Sequence, residues 1–285
     1  MSALIVSHNT RELLLEAIAS VVDEYGVETI VFDNASRDHS AQAVAARFPS
    51  VRLICSDTNL GFAAGINRAA AVARGEALLL LNSDAALRPG TLKLLLDVLD
   101  RDPRAALVGP ALRYPDGAWQ AAAFRFPGLV QVFLDLFPIA RLTESSLNGR
   151  VPVRANSSAV LIDYPLGACM LVRRAAWADT GPLDEGYFMY LEEIDWCRRA
   201  RRRGWRVWHQ PAAVAVHHGG SSTRQQPEAM FAQLWRSRLR YYQRFHGLIF
   251  NRVVHGVVRL GLRAHARRMG SEQGAALRSV RRLVM

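Results

Sequence analysis

Lysine is nearly missing from this chain of 285 residues: Lys93 stands alone among 36 basic side chains, and the rest are arginine. That bias reads as codon usage rather than phosphate recognition, although arginine does favour bidentate phosphate contacts. No G-x-x-x-x-G-K-[ST] loop occurs, and no G-x-G-x-x-G follows the first apolar run, so P-loop and dinucleotide readings lose their main support. Cysteine is scarce, and Cys55, Cys169 and Cys197 form neither a disulfide framework nor a zinc spacing. A reduced, cytoplasmic setting is therefore expected. The longest apolar stretch, Phe126 to Leu142, is broken by Pro127, Gln131, Asp135, Pro138 and Arg141. Nothing approaches the roughly 18 uninterrupted apolar residues of a spanning helix. The chain runs straight into Leu4-Ile5-Val6 without a basic head or cleavage site, so no signal peptide is expected.

What is present is enough for a large core. Half of the residues are apolar, 21% are charged, and the mean hydropathy is +0.03. This excludes wholesale disorder and fits one large globular domain or two modest ones. The formal net charge of +11 is unevenly placed. From Arg236 onward, 12 arginines face a single acid, Glu272, whereas residues 1–235 balance at 24 against 24. The composition thus divides the chain into a body, 1–235, and a basic tail, 236–285. Such a tail seeks polyanions, either nucleic acid or an anionic membrane face. Val253, Val254, Val257 and Val258 recur at helical spacing, with Arg252, Arg259, Arg263 and Arg267 on another face. That pattern suits a helix lying on a membrane surface; the alternative is a solvated helix whose valines pack on the body.

The first hundred residues alternate short apolar runs with helical patterns, the rhythm of βα units on a mostly parallel sheet. Strands are expected at Leu4–Ser7, Thr29–Phe32, Val51–Cys55 and Ala77–Leu81. Helices are expected at Arg11–Val22, Ser40–Arg47, Gly65–Ala73 and Pro89–Arg101. After Val108 the texture turns irregular, with a polar stretch from Thr143 to Ser158. Order returns with a strand at Cys169–Val172, a helix from Glu192 to about Arg203, and strands near Trp205–His209 and Val214–His217. Ligands of such sheets sit outside the carboxyl ends of the strands. That directs attention to Ser7-His8-Asn9, to Asp33-Asn34-Ala35-Ser36, and to Asn82-Ser83-Asp84.

Asp84 ends an apolar strand where a Mg²⁺ or Mn²⁺ ion could bridge a diphosphate, since hard ions take oxygen ligands; a turn or helix cap is the plainer alternative. Asp33 is placed to accept hydrogen bonds from a ribose or base. Gly61-Phe62-Ala63-Ala64-Gly65, flanked by Asn59 and Asn67, opens a helix with small residues that permit close approach of a nucleotide, or simply a tight turn. Glu192, Glu193 and Asp195 crowd a helix start. There they either complement the helix dipole or raise one another's pKa in the manner of a general base. His217 and His218 end a short strand, as metal ligands or as structural side chains.

Taken together and in order, these blocks resemble the inverting family 2 glycosyltransferases of the GT-A fold, nearest to the rhamnosyltransferase-like enzymes of bacterial surface polysaccharides. The residues that carry the likeness are Val31 to Ser36, Asn59 to Asn67, Leu79 to Asp84, Gly167 to Arg174, Phe188 to Cys197 and His217 to Gly220. They span about three quarters of the chain. The resemblance implies an α/β fold with a nucleotide-sugar half, about 1–110, and an acceptor half, about 111–235. Ser7, Asn9, Asp33, Asn59, Gly61, Asn67, Asn82, Ser83 and Asp84 would then bind the nucleotide sugar. Asp84 and His217 would hold a divalent cation. Glu193, or its neighbour Glu192, would be the catalytic base, and Gly167, Ala168 and Asp195 would lie on the acceptor side.

Two departures stand out. The D-x-D-like motif reads Asn82-Ser83-Asp84, without its first acid, and the usual Glu-Asp pair reads Glu192-Glu193.

The implied activity is transfer of a sugar, L-rhamnose by resemblance, from a dTDP- or UDP-sugar to a glycan or lipid-linked acceptor. The enzyme would contact an anionic membrane peripherally and bind no nucleic acid. The competing reading is a nucleotide-sugar-binding scaffold that kept the fold and lost the chemistry.

Overall fold

The computed structural model describes residues 1–22, 26–143, 145–153, 157–220, 227–268 and 280. Its first stretch alternates strand and helix, with one extra short strand before the last helix: β1 (Ser2–Ser7), α1 (Arg11–Val22), β2 (Glu28–Asn34), α2 (Ser40–Arg47), β3 (Arg52–Ser56), α3 (Phe62–Val72), β4 (Ala77–Asn82), β5 (Ala85–Leu87) and α4 (Thr91–Arg101). Here the expected elements agree with the observed ones to within three residues. The rest comprises β6 (Ala105–Arg113), β7 (Trp119–Gln120), β8 (Ala123–Phe124), α5 (Leu129–Leu136), α6 (Ala140–Thr143) and a 3₁₀ turn (Ser146–Asn148). There follow β9 (Val160–Ile162), β10 (Tyr164–Pro165), β11 (Cys169–Arg173), α7 (Arg174–Thr180), α8 (Glu192–Arg202), β12 (Arg206–His217), α9 (Pro227–Phe245) and α10 (Leu248–Arg268).

The main sheet runs in the order β3-β2-β1-β4-β11-β6-β12-β5, with β7 on β6 and β9 on β12. The first four strands are parallel, β11 runs against both neighbours, and β12 is again parallel to β6. The near-continuous apolar runs follow from helices covering both faces. Leu79 and Leu81 of β4 enter one core with α1 and α4, while Leu78 and Leu80 enter another with α3 and Trp196 of α8.

The irregular texture expected after Val108 conceals a central strand, β6. Pro110 lies inside it and has no N–H to give to a ladder. The fold absorbs the defect locally. β11 pairs only with Leu107 and Val108, and β12 shifts register between Gln210 and Val214, opposite Pro110 and Ala111. That same irregularity joins the two strands expected near 205–209 and 214–217 into one.

The composition boundary at residues 235 and 236 falls inside α9, which crosses it unbroken. Trp235, Tyr241 and Tyr242 are fully buried against Val132 and Leu136 of α5 and Leu191 and Ile194 at the head of α8. Val254 and Val258 of α10 join the same cluster and Val257 packs against it, so three of the four tail valines lie on the body and Val253 is exposed. The side chains of Arg267 and Arg268, and residues Glu272, Arg278, Arg281 and Arg282, lie outside what the structure describes. So does part of the expected polar stretch from Thr143 to Ser158.

Candidate active site

The carboxyl ends of β1, β2 and β4 meet the start of α8 and the end of β12 around a cavity of about 290 Å³. Ten of the expected residues line it: Asn59, Gly61, Asn82, Ser83, Asp84, Gly167, Ala168, Glu192, Glu193 and His217.

Asp84 and His217 are brought together by strand register. Ala85 pairs with His217 in the antiparallel β5–β12 ladder, and the His218 N–H donates to the Asp84 carbonyl at 3.0 Å. The His217 Nδ1 lies 2.9 Å from Gln120 Oε1, and its Nε2 lies 3.3 Å from Asp84 Oδ1. An amide oxygen only accepts, so in the neutral ring Nδ1 carries the proton and the Nε2 lone pair faces a carboxylate. Two buried acceptors at that separation call for positive charge between them, and nitrogen with carboxylate oxygen is a donor set that Mn²⁺ or Mg²⁺ accepts. Among the described residues no group of three or more His, Cys, Asp or Glu is arranged as a metal cage. A cation here would take its remaining ligands from the substrate and water, as open sites for phosphate-bound ions do.

The carboxylate pair is set by backbone geometry. Tyr190 and Leu191 have φ of 69° and 67°, left-handed values for side-chain-bearing residues that cost roughly 1–3 kcal/mol each. Packing holds them there. Leu191 is buried, and the Ser237 hydroxyl on α9 donates to the Met189 carbonyl at 2.7 Å. The reversal starts α8 with both glutamates at the cavity. Burial pushes the Glu193 carboxyl up to about 7 and raises Glu192 as well, helped by the charge of Glu193. The Oε2 atom of each has no hydrogen-bond partner among the described residues. Glu193 lies over Gly167, where an added Cβ would sit 3.4 Å from its Cδ. The neighbouring Ala168 carbonyl accepts from the Asn82 N–H at 2.9 Å, so Glu193 and the Asn82-Ser83-Asp84 turn share one wall.

Five expected residues do not line the cavity. Ser7 lies beneath it in a buried hydroxyl chain: its Oγ is 3.0 Å from Thr10 Oγ1, which donates to Ser83 Oγ at 2.8 Å. Asn9, at φ 54°, accepts from the Arg37 N–H and braces the loop after β2. Asp33 is buried at the end of β2. Its Oδ2 accepts from the Ser36 N–H, and its Oδ1 has no partner among the described residues. Asn67 is taken up on the far side of α3, bonded to both backbone groups of Leu183. Asp195 was expected on the acceptor side, yet it is fully buried on the back of α8. There Arg199 Nε donates to its Oδ1 at 2.6 Å, and Arg244 Nη1 reaches its Oδ2 at 2.9 Å.

His8 and Asn34, which the sequence singles out by their positions right after strands, also line the cavity, whereas the lining by Phe188 to Tyr190 was not assigned from the sequence. Asn34 accepts from the Leu60 N–H and donates to the Gly61 carbonyl, clamping the Asn59–Gly61 loop. Gly61, at φ 85°, has no room for a Cβ, which would sit 2.2 Å from the Phe188 carbonyl; that carbonyl accepts from the Phe62 N–H at 2.8 Å. His8 and Phe188 to Tyr190 complete the rim.

A family profile described as "Glycosyl transferase family 2" matches residues 2–176. An N-acetylglucosaminyl-diphospho-decaprenol L-rhamnosyltransferase of Mycobacterium tuberculosis (strain CDC 1551 / Oshkosh) is 32% identical over 232 residues, covering 76% of this chain and 74% of that protein. Among solved structures, the mannosyltransferase PcManGT from Pyrobaculum calidifontis, in complex with GDP-Man and Mn²⁺, superposes with a TM-score of 0.59 at 16% identity. That match covers 99% of this chain and 79% of the other. GalNAc-T7 with UDP, GalNAc and Mn²⁺ gives the same TM-score at 15% identity; the match covers 76% of this chain but only 42% of that one.

Proposed function

The chain belongs to glycosyl transferase family 2, as a rhamnosyltransferase-like glycosyltransferase of the GT-A fold, and from that premise we propose that it moves L-rhamnose from a nucleoside diphosphate sugar to a lipid-linked glycan acceptor with inversion. One observation carries the reading: a buried carboxyl raised to about 7 and an Asp–His pair 3.3 Å apart open onto the same cavity. The sugar and the lipid-linked acceptor are supported by the mycobacterial relative's name.

In this reading the nucleoside rests against the Asn59–Gly61 loop at the carboxyl end of β2, whose last residue Asn34 clamps that loop. Asp84 and His217 would hold a divalent cation, whose positive charge would stabilise the leaving diphosphate. Glu193 takes the proton of an acceptor hydroxyl while that oxygen attacks the anomeric carbon from the face opposite the diphosphate. The bond to the diphosphate breaks as the new glycosidic bond forms, so the configuration inverts. General-base assistance of this kind is worth ~10² to 10⁴ in rate. The basic C-terminal region keeps the enzyme at the inner, anionic face of the plasma membrane, where a lipid-linked acceptor resides.

Calorimetric titration of dTDP, UDP and GDP, each with and without Mn²⁺, on the parent protein and Asp84→Ala tests the donor half. The expected result is tight binding of one diphosphate that needs both metal and Asp84. Binding indifferent to both would remove Asp84 and His217 from the mechanism and favour a scaffold that binds without turnover.

A further inference from the structure

Twelve large apolar side chains are exposed among the described residues, and nine of them fall in two stretches, 129–147 and 248–260. The two stretches are neighbours in space. Helix α10 packs on α5 so closely that a Cβ on Gly261 would sit 2.7 Å from the Cβ of Leu136. Both helices place one face in the same buried cluster, through Val132 and Leu136 of α5 and Val254 and Val258 of α10. Their remaining faces turn outward together.

On α10 the outward face is ordered. At about 100° per residue, Ile249, Val253 and Leu260 fall within an arc of about 40°, and Arg252, Arg259 and Arg263 form a second row beside them. Ile249 is 80% exposed and Leu260 59%. No acidic residue occurs anywhere in α10. Leu129, Val130 and Phe133 extend the apolar surface onto α5, each at least 39% exposed. Contiguous apolar surface of this kind on a folded chain marks a contact site.

We infer that the joint outer face of α5 and α10 docks on an anionic lipid surface, the apolar row entering the acyl boundary and the arginine row meeting headgroup phosphates. The charge pattern chooses lipid over protein: an apolar row flanked by cations, with no acid to offer a basic partner, is the pattern of a helix lying in a membrane interface. The inference rests on the lipid-linked acceptor reading. It adds that the contact is a composite of two helices about 120 residues apart in sequence, rather than the tail by itself.

The test is co-sedimentation of the full chain with vesicles of phosphatidylcholine, with and without added phosphatidylglycerol. The expected result is binding that needs phosphatidylglycerol and weakens with salt. Ile249→Asp combined with Leu260→Asp should lower the partition coefficient more than about tenfold. Arg252→Gln combined with Arg263→Gln should lower it about 25-fold on anionic vesicles, at roughly fivefold per arginine. Phe133→Asp, on the other helix, should also lower it about tenfold. All these positions are exposed, and circular dichroism checks that each variant folds. Parent-like binding by the Phe133 and Ile249/Leu260 variants would overturn the inference, as would equal binding to neutral vesicles. A chain that ignores vesicles but forms dimers, dissociated by the same substitutions, would overturn it too and assign the face to a second copy. Turnover on a water-soluble acceptor analogue without vesicles should be equal in all variants. Failure of the parent in that assay would count against the transferase reading and leave the vesicle result standing.

Discussion

Replacing Glu193 by glutamine should make the protein more stable and nearly inactive, and the two effects share one cause. A carboxyl whose pKa rises from an ordinary 4.5 to about 7 on burial is one whose charged form the fold disfavours. Between those values the native state holds a proton that the unfolded chain has released, so stability falls as pH rises through this window. At about 1.4 kcal/mol per pH unit, the native state gives up on the order of 3 kcal/mol by pH 8. Glutamine removes that penalty but leaves part of its amide without an acceptor, as Oε2 is now, which costs about 1–2 kcal/mol. The net expectation is a gain of about 1–2 kcal/mol at pH 8, or ~2–8 °C in melting temperature for a domain of this size, and none at pH 5. Turnover should fall by ~10² to 10⁴ with donor affinity kept, and parent turnover should climb as pH passes about 7 and the base is uncovered. Melting curves at the two pH values and a coupled assay for released diphosphate check both halves. A Glu193→Gln protein within tenfold of parental turnover, or a stability change equal at pH 5 and pH 8, would refute the reasoning. The same pattern in Glu192→Gln would move the base by one residue.

Two further substitutions probe the supports of the site. Gln120→Leu removes the acceptor that fixes the His217 ring; loss of such an outer partner should weaken Mn²⁺ binding ~10- to 100-fold, read by electron paramagnetic resonance of bound ion, and unchanged affinity would leave Gln120 without a role. Asp195→Ala removes the fully buried acceptor of Arg199 and Arg244, although Arg199 keeps the Thr180 and Pro182 carbonyls and Arg244 keeps Asp184; it should cost about 1–3 kcal/mol in urea unfolding, and no measurable loss would show that the pair does not brace α8.

The donor half was legible because each of its features is local. Apolar runs closed by Asp33, Asn82 and Asp84, and a Gly61 that opens a helix, are signals contained in a few consecutive residues. The acceptor half was less legible because its determinants are not local. Strand β6 was hidden by Pro110, whose missing donor is tolerated only because β12, a hundred residues later, bulges beside it. Asp195 was read with its glutamate neighbours, although two residues of helix rotate it about 200° from Glu193 and hence to the other side. Trp235, Tyr241 and Tyr242 sit among arginines that drew the segment toward solvent. Their burial depends on α5 and α8, which the composition of the tail does not reveal.

Those arginines also change what the net charge means. Arg238 pairs with Asp135 at 2.8 Å, Arg240 with Asp184 at 2.9 Å, and Arg244 with Asp184 and Asp195. Half a helix of apparently surplus cations is thus the counter-charge of acids placed far upstream, and the even balance of residues 1–235 is only formal: three of its carboxylates are answered from beyond the boundary. Shortening the chain at residue 235, where a charge plot invites the cut, would bisect α9, take the arginine partners from Asp135 and Asp184, leave Asp195, among the described residues, with Arg199 as its one arginine, and remove the hydroxyl of Ser237 from beneath the turn that aims Glu192 and Glu193. This C-terminal helix is part of what holds the turn before α8, and a shortened protein that fails to act would say nothing about membranes.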